Sequence, residues 1–309
     1  MGAMIEVQGL TKSYGKNRGI IDVSFAVQEG EVFGFLGPNG AGKTTTIRIL
    51  MALLRADGGT ARIAGLDCWD SSIDIKKIVG YVPGEPALDP NLTGGQILEY
   101  FANLRGGVDR AYQAQLIKRL DLDTRKKFRQ YSSGNKRKVV LIQAFQHRPK
   151  LLILDEPTNG LDPINQQEFD ALVREVRADG NTVLLSSHVL SEVEKTCTRV
   201  GIIREGRIVR IGGLAELKDI KRYEITIAFA DAVPANAFAT LPGVSDVETL
   251  NNGHAVRLAM QGAADAVVKQ AARYNVLSLT SYEPSLEDVF LRYYEGDAGK
   301  ASKEASHVA

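Results

Sequence analysis

The sequence predicts an α/β domain with a mainly parallel sheet core, followed by a small α+β domain. Three observations carry this. Short apolar runs at Val32–Leu36, residues 151–154 and residues 182–186 read as strands buried on both faces, each followed by helical spacing. A glycine-rich turn joins the first of these strands to its helix. Beyond Leu217 the pattern restarts as strand, helix, strand, strand, helix, strand.

Residues 5–7 and 20–27 alternate apolar and polar positions, as half-buried strands of an antiparallel edge do. Val32–Leu36 runs into the glycine turn. Residues 45–54 then take helical spacing, which Arg55-Ala56-Asp57-Gly58-Gly59 stops. Residues 85–150 turn helical in character, with apolar residues three and four apart over 96–104 and 111–120. Residues 151–154 form a second buried strand, ending in Asp155-Glu156. Residues 165–178 read as an amphipathic helix, 182–186 as a strand and Leu190–Thr196 as a helix.

In the second domain, residues 223–230 alternate like a strand and 235–240 form a short helix. Val244–Leu250 and residues 254–260 flank Asn251-Asn252-Gly253, which tolerates positive φ and suits a hairpin. Residues 263–274 read as a helix, Val276–Tyr282 as a strand and 285–294 as a last helix. That order suggests a ferredoxin-like fold. The expected boundaries are 4–217 for the first domain, with a helical subdomain about 85–148, and 222–294 for the second. A disordered tail is expected over 296–309.

A chain of 309 residues has room for two such domains at about 150 residues each. Hydrophobic content of 44% and charged content of 24% supply an ordinary globular core. The net charge of +1 lacks the basic excess of nucleic-acid binders, so no nucleic-acid partner is expected. Cys68 and Cys197 stand far apart, which favours buried free thiols in a reducing compartment over a disulfide or a zinc site. No apolar run approaches the roughly 18 residues that span a bilayer, and the N-terminus shows no secretory pattern. A cytoplasmic location follows as the expectation, with any membrane role coming through a partner.

Gly37-Pro38-Asn39-Gly40-Ala41-Gly42-Lys43-Thr44 fits G-x-x-x-x-G-K-[ST]. Backbone N–H groups must converge on phosphates, glycines permit the dihedrals, and the following helix offers its positive end. Lys43 suits the β- and γ-phosphates of ATP, the Thr44 hydroxyl suits Mg²⁺, and Thr45 follows within the same site. Asp155 ends a buried strand at the carboxyl edge of the sheet and is the expected second Mg²⁺ partner. Glu156 is placed to polarise the attacking water.

Together with further motifs, these residues resemble the ATP-binding cassette (ABC) family, the motor subunits of ABC transporters. The string 131–138, Tyr-Ser-Ser-Gly-Asn-Lys-Arg-Lys, resembles the family signature L-S-G-G-Q and its basic tail. Asp155-Glu156-Pro157-Thr158-Asn159-Gly160-Leu161-Asp162 resembles the Walker B motif running into the D-loop. Ser187-His188 resembles the histidine switch, and Tyr14 stands where an aromatic stacks on adenine. The resemblance implies two cassettes dimerised head to tail, with each ATP between one phosphate loop and the other chain's signature. It further implies that Ser132, Ser133 and Gly134 contact the nucleotide of the opposite subunit. His188 would hold the γ-phosphate and the water near Glu156, and Asp162 would lie across the dimer interface.

Two departures stand out. Ser133 replaces the signature's first glycine, placing a Cβ where backbone should approach nucleotide. Gly84 stands where the family has a glutamine that ligates Mg²⁺ and senses the membrane partner. The basic runs Arg125-Lys126-Lys127 and Lys136-Arg137-Lys138 read as a solvated face, or as phosphate-steering charge.

Residues 92–99 and the string Ser285-Leu286-Glu287-Asp288-Val289-Phe290-Leu291 resemble ABC-2-type exporters of drugs, antibiotics and polysaccharides. This implies a peripheral subunit on the cytoplasmic face of the membrane, gripping a separate permease through residues 85–105. The alternatives are a cassette acting on ribosomes or nucleic acid, and a nucleotide-gated scaffold with weak hydrolysis.

Overall fold

The computed structural model describes residues 2–15, 19–214, 223–234 and 236–282. It divides into two compact units, Met1–Leu214 and Ala215–Ala309.

In the first unit, β1 (Ala3–Ser13) and β2 (Gly19–Gln28) pair antiparallel. β3 (Val32–Leu36) leads through the glycine turn into α1 (Lys43–Leu50). β4 (Gly58–Ile63) and β5 (Leu66–Asp67) return beside β1, giving the antiparallel sheet β2-β1-β4-β5. Then come α2 (Ser72–Ile78), β6 (Val79–Val82), α3 (Gly94–Leu104), α4 (Arg110–Arg119) and α5 (Ser133–Phe145). β7 (Leu151–Asp155), α6 (Pro163–Ala178), β8 (Thr182–Ser187), α7 (Leu190–Thr196), β9 (Arg199–Arg204) and β10 (Arg207–Gly213) complete the unit.

The central sheet has the order β10-β9-β3-β8-β7-β6, parallel except for β10. β3, β7 and β8 are buried at every position, which explains their unbroken apolar sequences. Their register pairs Leu36 with Ser187 and Asp155 with Ser186. The carboxyl ends of three neighbouring strands therefore meet at one edge, where open parallel sheets bind ligands. Phe25 stacks on Phe33 and Phe35 at 5.6 and 5.2 Å between ring centroids, joining the antiparallel sheet to the central one.

Several boundaries differ from the sequence expectation. α1 begins at Lys43 rather than at residue 45, because Gly42 in the left-handed region caps it. It ends at Leu50, since Ala52 turns to φ +51° before the glycines are reached. Residues 58–82, read only as a helix stop and an unassigned stretch, form β4, β5, α2 and β6. β9 and β10 were likewise not anticipated.

The helices between β6 and β7 carry their own stop signals. Thr93 caps α3, accepting from the Gln96 N–H at 3.2 Å while Gln96 reaches back to Thr93 N at 2.8 Å. Behind them, His147 Nε2 donates to the Val79 carbonyl at 3.3 Å, while Nδ1 is buried with no hydrogen-bond partner. Burial, with Arg105 nearby, pushes the His147 pKa down to about 4. The unfolded chain takes up this proton near pH 6.5 and the folded chain only near 4. Stability is therefore full above about pH 6.5 and falls as pH drops toward 4, by at most about 1.4 kcal/mol per pH unit. Denaturant titration between pH 7.5 and 4.5 should show this slope, and His147→Gln should flatten it.

Cys68 and Cys197 are free and buried, and burial pushes both thiols up to about 12. Among the described residues, no helix is long and apolar enough to cross a membrane.

The second unit contains β11 (Tyr223–Phe229), α8 (Asn236–Ala239), β12 (Val244–Leu250), β13 (Ala255–Met260), α9 (Asp265–Ala271) and β14 (Val276–Tyr282). The sheet order β12-β13-β11-β14, antiparallel throughout, is the ferredoxin-like one. Alternate residues Ile225, Ile227 and Phe229 face Val256, Leu258 and Met260 on one side, with Phe238 and Val267 packed over them. Asn251, Asn252 and Gly253 take φ of 51, 56 and 92°, as the hairpin requires. The last expected helix, 285–294, and the tail lie outside the described residues.

Candidate active site

The glycine turn leaves β3 and bends back over the sheet edge. Gly42 has φ +113°, and a Cβ there would come within 2.5 Å of Ile20 Cγ2. Only glycine meets both conditions. Gly37 N–H donates to the Ser187 carbonyl at 3.3 Å, and Ala41 N–H donates to the Pro38 carbonyl at 3.1 Å. Lys43 is buried, and its Nζ donates to the carbonyls of Gly37 at 2.6 Å and Pro38 at 3.2 Å. Asn39, Gly40, Gly42, Lys43, Thr44 and Thr45 line one side of a cleft of about 370 Å³. Asp155, Glu156, His188 and the loop after β6 line the other side. Pro38 and Ala41 shape the turn rather than the cleft wall.

Asp155 is completely buried. Its Oδ1 accepts from Ser186 Oγ at 2.6 Å, but Oδ2 has no hydrogen-bond partner. A buried, unpaired carboxylate oxygen is a rare feature that a bound cation would satisfy. Thr44 lines the same cleft. Among the described residues, no cluster of three or more His, Cys, Asp or Glu could hold a metal alone. Thr44 and Asp155 therefore fit Mg²⁺, which takes few protein ligands and completes its shell from phosphate and water.

Glu156 sits at φ +50°, in the left-handed region that side chains seldom occupy. Its N–H donates to the Ser186 carbonyl at 3.1 Å, which holds the strained turn. Glu156 Oε1 lies 3.2 Å from Lys43 Nζ, and Oε2 accepts from His188 Nδ1 at 2.5 Å and Asn159 Nδ2 at 3.3 Å. The acid, the loop lysine and the histidine thus form one connected group. Sequence reasoning missed its support. Glu192 accepts from Thr158 Oγ1 at 2.5 Å and Ser187 Oγ at 2.7 Å, tying the strand that precedes His188 to the turn after Glu156. Its only sequence signal is a carboxylate four residues beyond His188.

The signature residues lie apart from this cleft. Ser132 caps α5, accepting from the Asn135 N–H at 3.3 Å. Ser132 and Gly134 line a second cleft of about 460 Å³ with Lys138 and Asp162. A Cβ on Gly134 would come within 2.5 Å of the Gly160 carbonyl, so glycine permits the close approach of α5 to that turn. Ser133, which stands in place of the signature's first glycine, packs beside the turn after Glu156. Its Oγ faces Gly160, 3.3 Å from where a Cβ would stand on that residue. Tyr14, 53% exposed beyond β1, does not line the phosphate cleft. The basic run is not a uniformly solvated face either: Arg137 and Lys138 are buried, whereas Arg125 is exposed.

Residues 20–159 match the family model described as ABC transporter, and 212–294 match ATP-binding protein DrrA1-3-like, C-terminal domain. The chain is 35% identical to the daunorubicin resistance ATP-binding protein DrrA2 of Streptomyces coeruleorubidus, over 94% of this chain and 95% of that one. It is 33% identical to the bacitracin transport ATP-binding protein BcrA of Bacillus licheniformis, over 96% and 99%. The chain belongs to the ABC transporter ATP-binding proteins. A solved ATP binding subunit of an ABC transporter, 31% identical, superposes with a TM-score of 0.64 over 70% of this chain and 92% of its own. The cassette is thus an ATPase of the ABC type, with a DrrA-like C-terminal domain.

In this ABC ATPase, a Cβ on Gly84 would lie 3.2 Å from the unpaired Asp155 Oδ2. A glutamine side chain there would start against the carboxylate oxygen that lacks a partner. Gly84→Gln is expected to raise basal ATP hydrolysis by about tenfold, the worth of one added hydrogen bond of about 1.4 kcal/mol. Steady-state phosphate release checks this, and an unchanged rate would show that the loop is not catalytically weak.

Proposed function

We propose that this chain is the ATP-hydrolysing subunit of an ABC-2-type membrane exporter, acting as a homodimer on the cytoplasmic face with a separate integral-membrane permease. One observation carries the reading. Lys43, Asp155, Glu156 and His188 converge in one cleft, while Ser132 and Gly134 line another, which supports reading the chain as two half-sites.

The loop amides and the end of α1 bind the phosphates, and Lys43 exchanges its carbonyl partners for phosphate oxygens. Thr44 and Asp155 hold Mg²⁺, which when bound neutralises charge on the phosphates. Glu156 takes the proton of an attacking water, and His188 fixes the carboxylate and that water in line. Ser132, Gly134 and neighbouring Ser133 of a second copy close over the γ-phosphate, with Asp162 at the same interface. Tyr14 supplies a face for adenine.

Membership in a family whose relatives include drug-resistance and bacitracin-transport subunits supports the exporter role. The test is multiple-turnover phosphate release from MgATP by the purified chain, lost on chelating Mg²⁺. Co-expression with a multi-span permease should then yield an isolable complex with altered turnover. A chain that neither releases phosphate nor associates would overturn the proposal.

A further inference from the structure

Arg137 lies in the first turns of α5, five residues after its cap Ser132, and is only 4% exposed. Its hydrogen bonds go to carbonyl oxygens in two loops. Nη1 donates to Pro83 O at 2.6 Å, Nη2 to Gly84 O at 2.5 Å and Nε to Asn159 O at 3.4 Å. The first loop puts Gly84 against Asp155 Oδ2. The second follows Glu156, and its Asn159 side chain donates to Glu156 Oε2 at 3.3 Å.

One planar guanidinium therefore sets the main chain beside both acids, from the helix that carries the signature. Burial works against the Arg137 cation, and the nearby Asp155 and Glu156 side chains offset part of that cost. Gly84 offers no side chain for this link, so its backbone carbonyl is what remains to be held. Lysine could not reproduce the arrangement, because a point ammonium lacks the fixed fork that spans three acceptors.

We propose that Arg137 is a positioning residue for ATP hydrolysis, joining the signature helix to the Gly84 loop and the Asn159 turn through main-chain contacts. The inference rests on reading the phosphate-loop cleft as the ATP site. The experiment compares the full chain with Arg137→Lys, Gly84→Gln and the double variant, measuring kcat, KM, affinity for a fluorescent ATP analogue, and Tm.

Arg137→Lys keeps the buried charge, so the chain should fold with Tm within a few degrees and with near-normal analogue affinity. Its kcat should fall about tenfold or more with little change in KM. In the Gly84→Gln background the same substitution should lower kcat less, because a side chain that starts beside Asp155 holds that loop against the acid without Arg137. An unchanged kcat, losses that only track affinity or Tm, or additive effects in the double variant would each overturn the role of Arg137. Failure of the unaltered chain to bind the analogue would instead refute the reading of the cleft itself.

Discussion

Glu156→Gln is expected to lower multiple-turnover ATP hydrolysis by about 10²–10⁴-fold while leaving nucleotide bound. The substitution is nearly isosteric. Its carbonyl can still accept from Lys43, 3.2 Å from Oε1 in the native chain. What it cannot do is take a proton from water. It also removes a negative charge from beside the phosphates, so ATP affinity should hold or tighten rather than fall. Phosphate release and a nucleotide titration on the same preparation separate the two effects. A variant retaining more than about a third of the rate would place the base elsewhere. Glu85, a carboxylate that lines the cleft from the loop after β6, would be the next candidate.

Lys43→Ala is expected to weaken ATP binding by about 10–100-fold, the loss of one or two charge-assisted hydrogen bonds. The loop is already shaped around this ammonium, which bridges the Gly37 and Pro38 carbonyls and faces Glu156. Removing it leaves Glu156 without its cation and opposed to the incoming phosphates. The two substitutions should therefore be non-additive: Glu156→Gln should tighten binding more in the Lys43→Ala chain than in the unaltered one. An equal effect of Glu156→Gln in the two backgrounds would mean that the Lys43–Glu156 pair has no bearing on binding.

Much of the first unit was legible because its decisive features are local. β3, β7 and β8 read as strands since every residue is buried, and the phosphate turn is a contiguous string. The acids followed from standing at a strand end. β4 owes its existence to pairing with β1, some fifty residues away, which no local window contains, and the two-residue β5 forms only because β4 is there to pair with it. Arg137 shows the same limit within the site. In sequence it is one of three consecutive basic residues, and only packing distinguishes it from Lys136, which lies over the Phe128 ring at 5.5 Å. The contact of Ser133 with Gly160 is hidden for a related reason, since the two stand twenty-seven residues apart in sequence. In the second unit, the alternation of Ile225, Ile227 and Phe229 exposed the buried face directly.

That one chain holds two half-sites is the claim on which the proposed mechanism depends. Light scattering on the size-separated Glu156→Gln chain, with and without MgATP, tests it most directly when repeated with Ser132→Arg added. The proposed mechanism predicts a monomer that becomes a dimer on adding ATP. With Ser132→Arg it predicts a monomer that still binds ATP normally but no longer pairs. ATP bound without association, or Ser132→Arg abolishing binding to the monomer, would contradict a nucleotide site completed by a second copy.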